Sequence, residues 1–299
     1  MVVGHILLQL AEDSLFSVRS AALLILICVI AEYASPRGRR IALRARFPGA
    51  FFSLMLPAFS IILSVPLQAA YRALGVGTLV IVPLADWMSP LGGLGTVFSV
   101  VILVLLGDFL EYWRHRAEHA FIWPIHAVHH SPTDLHAANG FGHPLQVVTS
   151  FVFITIPMSL IQMQGASIPA LVGLVITFML FFIHAATDVH LGPLRYVVVD
   201  NRFHRIHHSV EARHHDKNFG ITFSLWDQLF RTAYFPSKDE WPDVGVADCP
   251  PPVSLKEFLC YPLRLLPQTG RMFPNLRERL RPQSQRVGSP ADARAETQV

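Results

Sequence analysis

The sequence predicts an all-α protein, an integral membrane helical bundle carrying a histidine-rich helical cap. Three observations predict it. Uncharged apolar stretches long enough to cross a bilayer, which takes about 20 residues per helix, recur along the chain. Charged residues make up 15% of the 299 and apolar residues 52%, with a mean hydropathy of +0.41; soluble domains usually carry about 25% charged residues. Fourteen of the fifteen histidines fall between His115 and His215, mostly at helical spacing.

Taken in order, residues 16–33 form a short apolar candidate containing Arg19. Residues 50–71 carry no charge. Residues 73–85 are apolar but broken by Gly and Pro, and 87–107 are again uncharged. The longest uncharged stretch, 144–187, has 44 residues, about twice one span. Gln162, Gln164 and Gly165 sit near its middle and Pro169 follows, which predicts a helical hairpin. Four spans plus one or two shorter pieces give about four to six spans or re-entrant helices. Residues 218–235 mix Phe, Trp and Leu with Asp227, Gln228 and Arg231 and predict an interfacial helix. From Arg277 the chain is polar, and 279–299 is expected to be a disordered tail.

Arg37, Arg39, Arg40, Arg44 and Arg46 lie between the first two apolar stretches. By the positive-inside rule that loop is cytoplasmic. Counting crossings from it brings His115, His184 and His204 back to the same cytoplasmic side.

Several classes are excluded. A net charge of +3 is too small to imply nucleic acid. Cys28, Cys249 and Cys260 form no CxxC pair, which argues against a disulfide scaffold, a zinc ribbon or an iron–sulfur cluster. Glu12 and Asp13 interrupt the first apolar stretch, and no basic segment precedes it, so a cleaved signal peptide is not expected. Gly92-Gly93-Leu94-Gly95 is not a dinucleotide fingerprint.

The histidines carry the chemistry. Residues i and i+4 share a helix face. His115 and His119 therefore point one way; His126, His129 and His130 share a face, and His204, His207 and His208 repeat that spacing. His184 closes the hairpin at the same surface. Nine imidazoles converge, enough for two metal ions with four or five nitrogens each. A metal-free cluster would strand ring nitrogens at about 1–3 kcal/mol each. Imidazole suits iron, copper, zinc and nickel alike. Ligating histidines usually donate their other N–H to a carboxylate or carbonyl. Asp108 is the best-placed acid, two turns before His115; Asp188 and Asp200 are further candidates. His143-Pro144 stands at a span entrance and can face the metals. His136, His190, His214 and His215 are assigned no ligand role, and His5 is remote.

Asp108-Phe-Leu-Glu-Tyr-Trp-Arg-His115-Arg-Ala-Glu-His119 resembles the first signature of the fatty acid hydroxylase/sterol desaturase superfamily. Trp123-Pro-Ile-His126-Ala-Val-His129-His130-Ser-Pro132 looks like the second, and His204-Arg-Ile-His207-His208-Ser209 with Asn218-Phe-Gly220 like the third. His184 falls where the family has an extra histidine. The chain departs from the family at Ala185-Ala186, after that histidine, and at Gly142, where an Arg is common. The resemblance implies a membrane-bound di-iron oxygenase, with two iron ions and O2 as co-substrate. Its implied ligands are His115, His119, His126, His129, His130, His184, His204, His207 and His208, with Asp108, His143 and Asn218 around the site. The implied reaction is hydroxylation or desaturation of a C–H bond in a sterol, fatty acyl chain, carotenoid or ether lipid. Electrons would come from a separate ferredoxin or cytochrome with its reductase. The expected organisation is an N-terminal membrane region (1–95), a catalytic domain (96–236), a C-terminal extension (237–278) and the tail. The competing reading is a histidine-rich membrane metal-binding or transport protein without oxygenase activity; a structural zinc scaffold is a third.

Overall fold

The computed structural model describes the backbone of residues 2–75, 79–163 and 167–272, and the side chains of 18–60, 62–75, 79–163 and 167–266. The tail expected over 279–299, and Gln164 and Gly165 of the hairpin turn, lie outside the described residues. Among the described residues the regular elements are helices, and extended pairing is limited to isolated bridges such as Val82–Ile161.

The main helices are α1 (Val2–Ala34), α2 (Leu43–Ala73), α3 (Gly92–Phe121) and α4 (Trp123–His130), followed by α5 (Gln146–Ser159), α6 (Ser167–His184), α7 (Asn201–His207) and α8 (Leu255–Met272). Among the described residues three helical stretches are long and apolar enough to cross a membrane: Leu43–Ala73, Leu84–Phe121 and Ser167–His184. Their outer faces expose large apolar side chains, among them Leu94, Val97 and Phe98 on α3 and Leu171 and Leu174 on α6. Such a surface is unfavourable in water and suits lipid.

The expected helical hairpin is corrected in its first arm. Its second arm, α6, is long enough to cross, whereas α5 is too short. Within α5 the chain makes a π-helical turn at Phe151–Thr155, meets Pro157 and leaves the helix at Leu160. The re-entrant alternative describes this arm better. The interfacial helix expected over 218–235 is also replaced. Only Leu225–Leu229 is helical there, because Asn218, Asp227 and Thr232 are buried polar anchors of a folded-back loop.

Prolines 48, 57 and 66 all lie inside α2. Each removes a backbone donor, a loss that membrane helices tolerate when neighbours satisfy the freed carbonyl. The helix also begins earlier than the uncharged stretch, so Arg44 and Arg46 belong to it. Arg46 is 3% exposed and pairs with the fully buried Glu32 of α1. Glu32 also accepts from the backbone N–H of Ala137 at 2.8 Å and of Ala186 at 2.6 Å. One carboxylate thereby ties the first two helices to the segments that follow His130 and His184. Nearby, Asp188 pairs with Arg37 and accepts from Ser35 Oγ at 2.6 Å. The arginine-rich loop and the histidines therefore occupy one end of the bundle.

Among the described residues four apolar cores hold the frame, two of which position the site. Leu103 and Val104 of α3 pack on Ile168 and Val172 of α6. Phe258, Tyr261 and Leu265 of α8 close over α4, with Phe258 stacked on Phe52 of α2 at 4.4 Å. Asp200 starts α7 as its N-cap, accepting from the Phe203 N–H at 2.8 Å; this fixes the helix that carries the third histidine array.

Candidate metal centre

All nine expected histidines, eight singled out by spacing and His184 by its place at the hairpin's end, come together in two groups. His115, His119, His126, His130 and His207 bring one nitrogen each to within 4.8 Å of one another, and His129, His184, His204 and His208 do the same. All nine are buried. Each HxxHH array is divided between the groups. On α4, His126 and His130 serve the group of five and His129 the group of four; on α7, His204 and His208 serve the group of four and His207 the group of five. The division follows from helix geometry. Positions i and i+4 lie about 40° apart, whereas i+3 falls on the other side of i, about 100° from i+4.

The ring orientations are set from outside. Nδ1 of His115 donates to the Phe219 carbonyl at 2.8 Å, that of His129 to Phe141 at 2.8 Å, and that of His207 to Lys217 at 2.8 Å. His184 Nδ1 donates to the Leu180 carbonyl at 2.5 Å, and His126 Nδ1 to Glu118 Oε2 at 2.7 Å. With the proton held on Nδ1, each Nε2 presents a bare lone pair inward. His115 Nε2 and His126 Nε2 then face one another at 3.1 Å, and His129 Nε2 and His184 Nε2 at 3.3 Å. His207 Nε2 is buried with no partner at all. Facing lone pairs repel unless a cation sits between them. Burial holds His126, His129 and His130 below the ordinary imidazole range and pushes His207 down to about 3, so a proton is a poor candidate. A metal ion satisfies every one of these nitrogens. The donor set fits a late first-row cation, and iron is among those imidazole accepts. His204 Nδ1 and His208 Nδ1 are the exceptions to the pattern, being buried without an acceptor.

A pH dependence follows. The unfolded histidines take a proton near 6.5, whereas His207 in the fold does so only near 3, and His130, His204 and His208 also lie well below the usual value. Stability of the metal-free protein is therefore complete above about pH 6.5 and is lost as pH falls toward 3. Thermal unfolding of metal-free protein at about pH 7.5 and about pH 5 brackets the ordinary imidazole value and measures the loss. An unchanged melting temperature across that interval would contradict the buried, neutral histidines.

The three residues expected around the site do not contact the rings. Asp108 is buried but accepts from Thr222 N at 2.8 Å, Phe223 N at 2.9 Å and Trp226 Nε1 at 3.0 Å. It fixes the loop whose Phe219 carbonyl receives His115, and so acts on the histidine through the backbone. Asn218, at φ +58°, donates to the Phe203 and Tyr234 carbonyls at 2.8 and 2.7 Å and thereby pins the same loop to α7. His143 turns away: its Nε2 donates to the Leu259 carbonyl of α8 at 3.2 Å. Asp188 and Asp200 are occupied by Arg37 and by the α7 cap.

Glu118 does what Asp108 was expected to do, and Asp227, like Asp108, holds the loop. Glu118, fully buried, accepts from His126, from Gln146 Nε2 at 2.6 Å, and from Thr149 and Arg114. Asp227 accepts from Phe219 N at 2.9 Å, Gly220 N at 2.8 Å and Thr232 Oγ1 at 2.6 Å, holding the loop from its far side. Burial pushes the Asp227 carboxyl up, against those three donors. Glu118 sits inside the first array; its signal in the sequence is that an acid within a buried histidine helix needs partners. A cavity of about 190 Å³, lined by His119, Trp123, His130 and His207, gives the group of five an open side.

Comparison with known proteins agrees with this geometry. The family model described as fatty acid hydroxylase matches residues 100–232. Ornithine lipid hydroxylase OlsE of Rhizobium tropici is 32% identical over 154 residues, covering 50% of this chain and 46% of that protein. Alkylglycerol monooxygenase of Homo sapiens is 31% identical over 131 residues, 42% of this chain and 28% of that enzyme. A putative methylsterol monooxygenase of Dictyostelium discoideum is 28% identical over 144 residues, 46% of this chain and 51% of that protein. The chain thus spans about half the length, or less, of these relatives, and no solved structure matches it. Residues 100–232, the stretch similar to the fatty acid hydroxylase family, contain all nine clustered histidines.

Proposed function

We propose that this protein is a membrane-bound di-iron oxygenase that hydroxylates a C–H bond of a lipid bearing an alkyl or acyl chain. The observation that carries the reading is the pair of buried histidine groups, five and four, with inward lone pairs. His115, His119, His126, His130 and His207 would hold one ion and His129, His184, His204 and His208 the other. Bound iron supplies O2 activation. In the net reaction one oxygen atom enters the C–H bond and the other leaves as water, with two electrons and two protons taken from outside. The electrons come from a separate redox protein of the ferredoxin or cytochrome class. The protein's own share is orientation and dryness: Glu118 and the Phe219, Phe141 and Lys217 carbonyls lock the rings, and α8 covers α4. The catalytic unit is residues 96–236, with 1–95 as membrane frame and 237–278 as cover. The histidine end faces the cytoplasm, in line with the arginines at 37–46.

A chain lipid is favoured over a ring system because two relatives are named for ornithine lipid and alkylglycerol. Lipids from cells with and without the gene, grown under ¹⁸O2, test the reading. The expected result is a lipid carrying one ¹⁸O that vanishes with the gene. Identical lipid profiles alongside iron-loaded protein would refute it, and loss of two hydrogens without label would make the reaction a desaturation.

A further inference from the structure

A second cavity, of about 490 Å³, lies between α3, α5 and α6. Its walls include Gly107 and Glu111 of α3, Met158 of α5, Met163, Gly173 of α6 and Thr222. We propose that it is the subsite for a single alkyl or acyl chain of a membrane lipid, with Gly173 setting how much chain it admits. The proposal rests on the oxygenase reading and assigns it a substrate channel.

Four observations support it. The first is direction. Gly107 and Glu111 occupy the arc of α3 on which His115 follows, one turn beyond Glu111, so the cavity runs along the helix face that ends at the group of five. A chain lying there has its oxygen-bearing end at the metal end of the bundle and its tip toward Met158 and Met163. The second is how the space is kept open. A methyl group added at Gly173 would meet nothing within 4 Å, and one at Gly107 would meet only Ile176 Cδ1 at 3.8 Å. Glycines in membrane helices ordinarily let helices close together. Here two of them, on facing helices, border a void.

The third observation is the lining. Met158 and Met163 are unbranched and conform to a flexible partner better than to a rigid one. Beside them, Ile154 and Thr155 belong to the π-helical turn, a distortion frequent at functional sites. The fourth is polar. Thr222 is 5% exposed, and its hydroxyl has no partner although its backbone N–H is held by Asp108. A buried hydroxyl left unpaired is costly. An ether, ester or amide oxygen on a lipid entering the cavity supplies the missing acceptor.

The test is photolabelling of the full-length protein in lipid nanodiscs, using a phosphatidylcholine with a diazirine at the end of one acyl chain. In the wild type, adducts should map to Met158 and Met163. Gly173→Leu fills the void from α6 and Gly107→Val from α3; each should cut those adducts by roughly tenfold, the scale of overpacking a filled site, with iron content unchanged. Leu174→Trp adds bulk one residue on, at a 43% exposed position, and should leave them intact. Adducts at Met158 and Met163 that persist in both glycine variants would overturn the proposal, as would labelling there by a sterol diazirine instead of the chain probe. Labelling needs no turnover, so the two readings fail separately. Adducts blocked by Gly173→Leu in a protein that oxidises no lipid uphold the chain site and remove the oxygenase assignment. Lipid oxidation without adducts in the cavity does the reverse.

Discussion

Under the proposed function, replacing His129 or His207 by alanine should abolish lipid oxidation, with activity falling by about 100-fold or more, the upper range seen when even a supporting partner of a metal ligand is removed. The two variants differ in bound iron. His129 belongs to the group of four, so three histidines remain; His207 belongs to the group of five, so four remain. Iron loss is therefore larger for His129→Ala than for His207→Ala, and elemental analysis of purified protein reads the difference. His207→Ala also removes a buried nitrogen that otherwise has no partner, so the apo fold is expected to tolerate it. Full iron and normal turnover in both variants would sink the metal-centre assignment and leave the histidines as packing. The same pair separates the oxygenase from a transport protein, in which single ligands at one surface would alter uptake and not lipid composition.

Glu118 gives the second large effect. Glu118→Gln keeps the shape but removes the charge that His126 Nδ1 and Arg114 share. Metal affinity should drop by about 10–100-fold. Glu118→Ala goes further: it strands Arg114 with Glu111 alone and leaves Gln146 and Thr149 without their acceptor, a loss of about 3–5 kcal/mol by analogy with other buried pairs. Chelator competition on the Gln variant and thermal unfolding of the Ala variant separate the two roles. Unaltered iron affinity in a folded Glu118→Gln protein would reduce the carboxylate to a purely structural part.

The helices, the histidine end of the bundle and all nine clustered imidazoles were legible because each rests on periodicity. An i, i+4 pair shares a face whatever surrounds it, and an uncharged stretch of span length has few other uses. What failed were inferences about partners. Asp108 stands two turns before His115, yet its carboxylate serves backbone amides of a loop more than a hundred residues later in the chain. His143 adjoins an array in sequence but turns to α8, whose position no local pattern encodes. The short α5 was missed because hydropathy records apolarity and not the π turn and Pro157 that end the helix early. Glu118 was hidden inside the motif itself, since spacing rules rank acids by distance from the histidines and not by burial.

The division of each HxxHH array between two groups bears on which changes of length the chain can accept. A substitution within an array takes one nitrogen from one group. Inserting or deleting a single residue turns everything downstream by about 100° and sends the remaining histidines to the wrong group, so both centres lose their ligands together. The arrays are thus fixed-length words, and the first two are also fixed relative to each other, since Ile122 alone separates their helices and Glu118 of one bonds His126 of the other.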